Sequence, residues 1–260
     1  MAIDQRARLL HASQVESLAG DGSSLRWLVD PRLGAVHVMA YHLVLEPGAG
    51  AGHSHPGAEE ALYVVEGEGV VAVEGSEQAL VAGTAVHVPD GAEHRLENTG
   101  CGMLTVVGAM SPPVDPAGFG LAIPHLRLGQ AAASIDEGKV EPVMMKEESV
   151  VPTLMGERSF RLLVNPEVGC ARMSQFTGVI PPGRAPLHAH PYEEAVYVLE
   201  GRGRLWVEAA AAGDLRPGSV VFFPIGVRHT LENSAAHGNL KVLGAIAPAY
   251  SPDAKLLPQR

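Results

Sequence analysis

Short apolar runs, each stopped by glycine or proline, set the rhythm of this chain. ALYVVEGEGVVAVEG (61–75) and AVYVLEGRGRLWVE (195–208) are apolar or alternating on both sides of a central glycine. Each reads as two strands meeting at a turn, the pattern of a hairpin. MLTVVGAM (103–110) and LKVLGAIA (240–247) read as further short strands, and EAAAAGDLRPG (208–218) as an edge loop. Many short strands at regular spacing predict an all-β sandwich or barrel. Thirty glycines and twenty prolines in 260 residues strengthen that reading, because both interrupt helices and serve turns.

The pattern occurs twice. RWLVDPRLG at 26–34 aligns with RLLVNPEVG at 161–169, an offset of 161 − 26 = 135. GTAVHVPDGAEHRLEN at 83–98 aligns with GSVVFFPIGVRHTLEN at 218–233, again 218 − 83 = 135. One residue near Gly57 is missing from the second copy and regained before Gly218. A repeat this long marks a duplicated domain, not a solenoid. The expected division is an N-terminal barrel over 1–120, a linker or crossover over 121–150 and a C-terminal barrel over 151–260. The Pro-, Gly- and Ala-rich stretch at 110–142 supports the linker, with one short helix expected near GQAAASIDE (129–137).

Composition narrows the class. A hydrophobic fraction of 46% with 18% charged residues suits a globular protein with a real core. A formal charge of −10, with no Lys/Arg cluster, argues against nucleic-acid partners. No apolar run approaches the ~20 residues of a spanning helix, and MAIDQRARLL does not resemble a signal peptide. The expected location is cytoplasmic, with no membrane partner. Cys101 and Cys170 form no CxxC arrangement and are expected to be small buried apolar residues.

The candidate chemistry lies in the histidines. His53 and His55 stand two apart, which on a strand puts both on one face. Glu60 opens the next strand, and His94 follows at 94 − 53 = 41. The second copy supplies His188, His190, Glu194 and His229, with 229 − 188 = 41. Recurrence at fixed spacing argues against eight ordinary core or surface residues. Three imidazoles and one carboxylate make a mixed N/O site suited to Mn, Fe, Co, Ni, Cu or Zn. On an ion preferring six ligands, two positions remain for water, substrate or dioxygen.

These spacings resemble the cupin superfamily. Its first motif is HxH, three or four residues, Glu, six residues, Gly; it is met by His53, His55, Glu60 and Gly67, and by His188, His190, Glu194 and Gly201. Its second motif, G(x5)PxG(x2)H(x3)N, is met by Gly83, Pro89, Gly91, His94 and Asn98, and by Gly218, Pro224, Gly226, His229 and Asn233. One departure touches no ligand: the glycine ahead of the first histidine pair is set one residue closer than usual (Gly48, Gly183). The chain looks like a bicupin. The resemblance implies two tandem double-stranded β-helix (jelly-roll-like) barrels, each holding one divalent transition metal (Mn, Fe, Ni, Cu or Zn). It also implies association through barrel edges, as a homodimer or a larger ring, with a dimer expected.

The surroundings of the ligands follow from strand alternation. Leu62, Val64, Leu96, Val196, Val198 and Leu231 are expected to point inward and give aliphatic walls. Glu59, Glu193, Tyr63 and Tyr197 must face away from the metal. The two glutamates are expected to be solvated or salt-bridged, and the tyrosines to pack between barrels or subunits. Arg184 is a candidate counter-ion for a substrate carboxylate. His11, His37, His42, His87, His125 and His237 are read as ordinary. The leading expectation is a metal-dependent enzyme acting on a small oxygen-rich metabolite, with dioxygenase first among reaction types. The alternatives are a non-catalytic binding bicupin, or an isomerase or hydrolase similar to ureidoglycine aminohydrolases. Those typically carry ExHxxxH in the second barrel, whereas this chain has HxHxxxE. Oxalate decarboxylases are longer and carry an acidic lid not found here.

Overall fold

The computed structural model describes residues 6–116 and 142–254. The helix expected at 129–137, His125 and most of the linker lie outside the described residues. Each half is built from a seven-stranded and a four-stranded antiparallel sheet. In the first half the large sheet centres on Glu59–Glu66, flanked by Thr84–Val88 and Leu104–Ser111. The small sheet holds Gly50–His53, His94–Glu97, Glu68–Val73 and Ser76–Val81 in that order. The second half repeats the plan around Glu193–Glu200 and His229–Asn233. No helix among the described residues is long and apolar enough to cross a membrane.

Two expectations of local structure change. The expected hairpins are corners: Glu59–Glu66 and Glu68–Val73 meet at Gly67 but belong to different sheets. Gly67 has φ 88, and a Cβ there would stand 2.3 Å from the Met103 carbonyl. Only glycine can turn the chain this sharply against another backbone, and Gly201 does the same against Asn239. The stretch read as an edge loop contains the strand Ala210–Leu215, paired with Gly203–Val207. It lies at the edge of the small sheet with mostly exposed residues, so burial imposed no alternation on its sequence.

The halves exchange strands. Arg8–His11 joins the large sheet of the second half, with Leu10 opposite Val220. Val143–Lys146, which just precedes the second copy, joins the large sheet of the first half, with Met145 opposite Ala85. The two exchanges are related by the repeat, since 145 − 10 = 135 and 220 − 85 = 135.

Each large sheet buries both faces. One face fills its own barrel, with Leu62, Val64 and Leu104 packed against Leu96 of the small sheet in the first and Val196, Val198 and Leu240 against Leu205 in the second. The other face meets the opposite half in a shared core containing Ala61, Tyr63, Ala85, Ala195, Tyr197 and Phe222. That core rules out solvation for Glu59 and Glu193, which are 7% and 2% exposed, while Glu59 keeps an ion pair with Arg172 Nε at 4.0 Å. Glu193 accepts the amide N–H groups of Val36, His37 and Val38 at 3.0, 2.7 and 3.1 Å. Glu59 accepts those of Ala171 and Arg172 at 3.2 and 2.7 Å. The repeated DPRLG and NPEVG segments explain why those amides are presented. Asp30 and Asn165 cap short 3-10 turns that end at left-handed Gly34 and Gly169, and the next residues offer unpaired N–H groups across the boundary. Tyr63 packs in this core as expected and donates to Glu147, which also binds Lys241 Nζ at 3.0 Å and Thr177 Oγ1 at 3.1 Å. Of the two cysteines, Cys170 is buried as expected, but Cys101 is exposed.

Candidate metal centres

Strand pairing brings the distant histidines together. His53 ends Gly50–His53 and lies directly opposite His94, the first residue of His94–Glu97. His188 and His229 form the matching bridge in the second half. His55 and His190 lie just past the paired residues, where the His-Pro step leaves the strand. Asn98 Nδ2 donates to the carbonyls of Leu45 and Gly102, both at 2.8 Å, and Asn233 repeats this with Ile180 and Gly238. The asparagine of the second motif therefore fixes loops behind the site and does not face it.

In the first barrel, ligand atoms of His53, His55, Glu60 and His94 all lie within 4.8 Å of one another. Glu60 Oε2 is 3.1 Å from His55 Nε2 and 2.8 Å from His94 Nε2. His94 Nε2 is 3.0 Å from His53 Nε2. Glu60 is fully buried, and its other oxygen accepts a short hydrogen bond from Tyr41, itself 1% exposed. Burial opposes the Glu60 charge, but His94 and His55 outweigh it and hold the carboxyl well below the usual range. Burial pushes His53 down to about 4, leaving it a neutral donor.

The second barrel is looser. His188, His190 and His229 form a group within 4.8 Å, while Glu194 Oε2 stands 3.4 Å from His229 Nε2 and 3.9 Å from His190 Nε2. Burial opposes charge on Glu194, and the His229 hydrogen bond and the other histidines more than offset it. His188 is lowered to about 4, chiefly by burial and then by His229.

The donor set fits a divalent ion. The Nδ1 atoms of His55, His94, His188, His190 and His229 lie 2.6–3.1 Å from the carbonyls of Ala58, Ala92, Pro186, Ala254 and Val227. A carbonyl can only accept, so each Nδ1 carries the proton in the neutral ring and each Nε2 lone pair turns to the centre.

The copies differ around this shared frame. Tyr41, which holds Glu60, is matched by Phe176, and Ser23 is matched by Arg158 (158 − 23 = 135). Phe223 stacks on His229 with centroids 3.6 Å apart, and Tyr192 stacks on His190 at 4.6 Å. The C-terminal segment closes over them: Ala254 accepts from His190, and Pro252 accepts from the Tyr192 hydroxyl at 3.0 Å. A cavity of about 70 Å³ opens beside the second set, lined by Arg158, Phe160, Phe176, Val196, Phe223 and the ligands. Burial lowers the Arg158 pKa, and Glu194 partly offsets that effect.

Arg184 lies elsewhere. It is exposed, with Cζ 4.1 Å from the Trp206 ring centroid, and does not line this cavity. Arg158 is the cation that does, and sequence reasoning missed it. The available signal was a charge at an even offset from Phe160, on the inward face of RSFRLLV. Tyr41 was missed because an apolar strand hides one phenol well.

The family description "cupin domain" matches residues 41–107 and 176–244. Tetracenomycin polyketide synthase protein TcmJ of Streptomyces glaucescens is 35% identical over 107 residues, 41% of this chain and 72% of that protein. Polyketide synthase CurC of Streptomyces cyaneus is 29% identical over 144 residues, 55% of this chain and 90% of that one. Among solved structures, the Bacillus subtilis oxalate decarboxylase, a protein with Mn(II) centres, superposes with a TM-score of 0.76 at 17% identity, covering 95% of this chain and 79% of its own. A putative glyoxylate induced protein of Pseudomonas aeruginosa gives 0.73 at 17% identity, covering 99% and 94%. At such identities these two show the fold alone. Two domain matches over more than half the sequence, falling on two barrels with the same inward histidines, show that the chain belongs to the cupin family as a bicupin.

Proposed function

We propose that this chain is a divalent-metal-dependent enzyme acting on a small oxygen-rich anion, with dioxygenase chemistry as the reaction type. His53, His55, Glu60 and His94 would hold one ion, and His188, His190, Glu194 and His229 the other. Substrate is assigned to the second barrel. The observation that carries this is the cavity there, which joins three histidines and a carboxylate to one half-buried arginine within aromatic walls. A bound ion would supply Lewis-acid or redox chemistry and accept substrate oxygens. Arg158 would hold the substrate's anionic oxygen and fix its orientation. Phe160, Phe176 and Phe223 give the cavity apolar walls, which suit dioxygen beside the ion. In the first barrel Glu60 is tied to Tyr41 and fully enclosed, which suits an ion that supports structure.

Cavity size supports a small substrate. Two relatives carry polyketide synthase in their names, but the cavity beside the second set is small, about 70 Å³. That favours a few-atom oxyacid over a fused-ring polyketide, which would need the Pro252 segment to move aside. The test is oxygen uptake by metal-loaded protein with a panel of small 2-oxo and 2-hydroxy acids. Arg158→Gln should raise KM about 10- to 150-fold, the equivalent of ~1.5–3 kcal/mol for one charged hydrogen bond, with metal content unchanged. Metal-loaded protein that binds such acids without oxygen uptake or turnover would instead be a binding protein.

A further inference from the structure

A third donor cluster lies away from both barrels' interiors, in the boundary between the halves. Glu59, His87 and Cys170 each place one ligand atom within 4.8 Å of the others. They are 7%, 4% and 0% exposed. Glu59 opens Glu59–Glu66, and His87 lies in the neighbouring strand Thr84–Val88, where it pairs with Ala61. Cys170 comes from the other half, immediately after the Pro166–Val168 turn and Gly169. His87 Nε2 has no hydrogen-bond partner and faces Glu59 Oε1 at 3.3 Å.

The repeat provides an internal comparison. Glu59 is matched by Glu193, which also binds backbone amides across the boundary. The positions matching His87 and Cys170 hold Phe222 and Ala35 (222 − 87 = 135; 170 − 35 = 135). The fold therefore packs this boundary with a phenyl ring and a methyl group on one side. On the other it carries an imidazole 3.3 Å from the Glu59 carboxylate and a thiol beside them, all three buried. Packing alone gives no reason for that polar trio.

We infer that Glu59, His87 and Cys170 form a third metal site, selective for zinc or a similar borderline-soft dication, that clamps the two halves together. A sulfur, a nitrogen and an oxygen ligand suit tetrahedral zinc, with one water as the fourth ligand. In such a site, bonds of ~2.0–2.3 Å separate ligand atoms by roughly 3.3–3.7 Å, so closing the site needs a shift of at most about 1 Å. Burial lowers the His87 pKa and keeps its ring neutral and able to donate electrons. Burial, then Glu59, pushes the Cys170 thiol up to about 12, so an entering dication takes the place of that proton. The barrel sites contain no sulfur, and this difference makes the inference testable without any enzyme assay.

The test uses the full chain, stripped with chelator and titrated with Co2+. Coordination by Cys170 should produce thiolate-to-cobalt charge-transfer absorption, which imidazole and carboxylate ligands cannot give, levelling off by three equivalents at the intensity of one thiolate-bound ion per chain. Cys170→Ala should abolish the band and His87→Phe should weaken it at least tenfold, whereas Cys101→Ser, at an exposed site, should leave it intact. Both test variants install the side chain already tolerated at the matching position. Absence of the band in the unmodified chain, with cobalt bound elsewhere, would overturn the inference even if a variant failed to fold. A band that survived Cys170→Ala would overturn it too.

Discussion

Glu193→Gln perturbs the boundary between the halves at one atom pair. The carboxylate accepts three successive backbone N–H groups, from Val36, His37 and Val38, and is 2% exposed. A hydrogen bond to a charged group contributes ~1.5–3 kcal/mol net, and a glutamine carbonyl can keep about two of the three, each weakened. The amide NH2 would then face the third N–H, donor against donor. The expected loss is roughly 3–5 kcal/mol, a large fraction of a typical total of about 5–15. With a urea slope of about 3 kcal/mol/M, the midpoint should fall by roughly 1–1.7 M. Trp27 reports on the first barrel and Trp206 on the second, so single-tryptophan versions follow each half separately. Because the halves exchange strands and share a core, both probes should report one midpoint and fall together. A shift below about 0.3 M would refute the energetic role given to Glu193. Separate midpoints in the unmodified chain would refute the interlocking of the halves.

Glu147→Gln should destabilise the protein by about 2–3 kcal/mol at pH 7, since it joins Tyr63 of one half to Lys241 and Thr177 of the other. Burial opposes its charge, but Tyr63 and Lys241 prevail and lower its pKa below the ordinary 4.5. A depressed carboxyl stabilises above its unfolded pKa and loses that contribution as pH falls through the folded value. The gap between variant and parent, read by thermal melts across pH 3–7, should therefore close on the acid side. His55→Ala with His190→Ala should strip both barrels of metal, lowering the content read by elemental analysis by two ions per chain. A native circular dichroism spectrum should persist, because the apolar clusters lie outside these residues.

The sequence made the duplication, the β-class and the histidine sets legible because fixed spacing survives whatever the turns between do. Strand alternation correctly put Leu62, Val64 and Leu96 inside. It also put Glu59 and Glu193 on the opposite face, but it could not say that this face meets another barrel and not water. The corner at Gly67 looked like a hairpin because a glycine between two strands is written alike in both cases. Only the Met103 backbone, 36 residues downstream (103 − 67 = 36), distinguishes them. The exchanged strands RLLH and VMMK are four residues each, too short for periodicity to register. Arg184 looked suitable from its nearness in sequence to His188, yet its side chain gains more by lying on Trp206. Arg158 reaches the second site from 30 residues upstream of that histidine (188 − 158 = 30).

The strand exchange has an evolutionary corollary. A single copy of this repeat, folded alone, would expose the sheet edge that its own first strand leaves to a neighbour, and two such copies could satisfy each other by trading arms. In a symmetric pair of that kind, every substitution arrives twice, on both sides of the dyad. Joining the two copies in one gene removes that bond between them. A phenol can then appear at position 41 without one at 176, an arginine at 158 without one at 23, and a thiol at 170 without one at 35. The interlock keeps the pair together while each member is free to specialise.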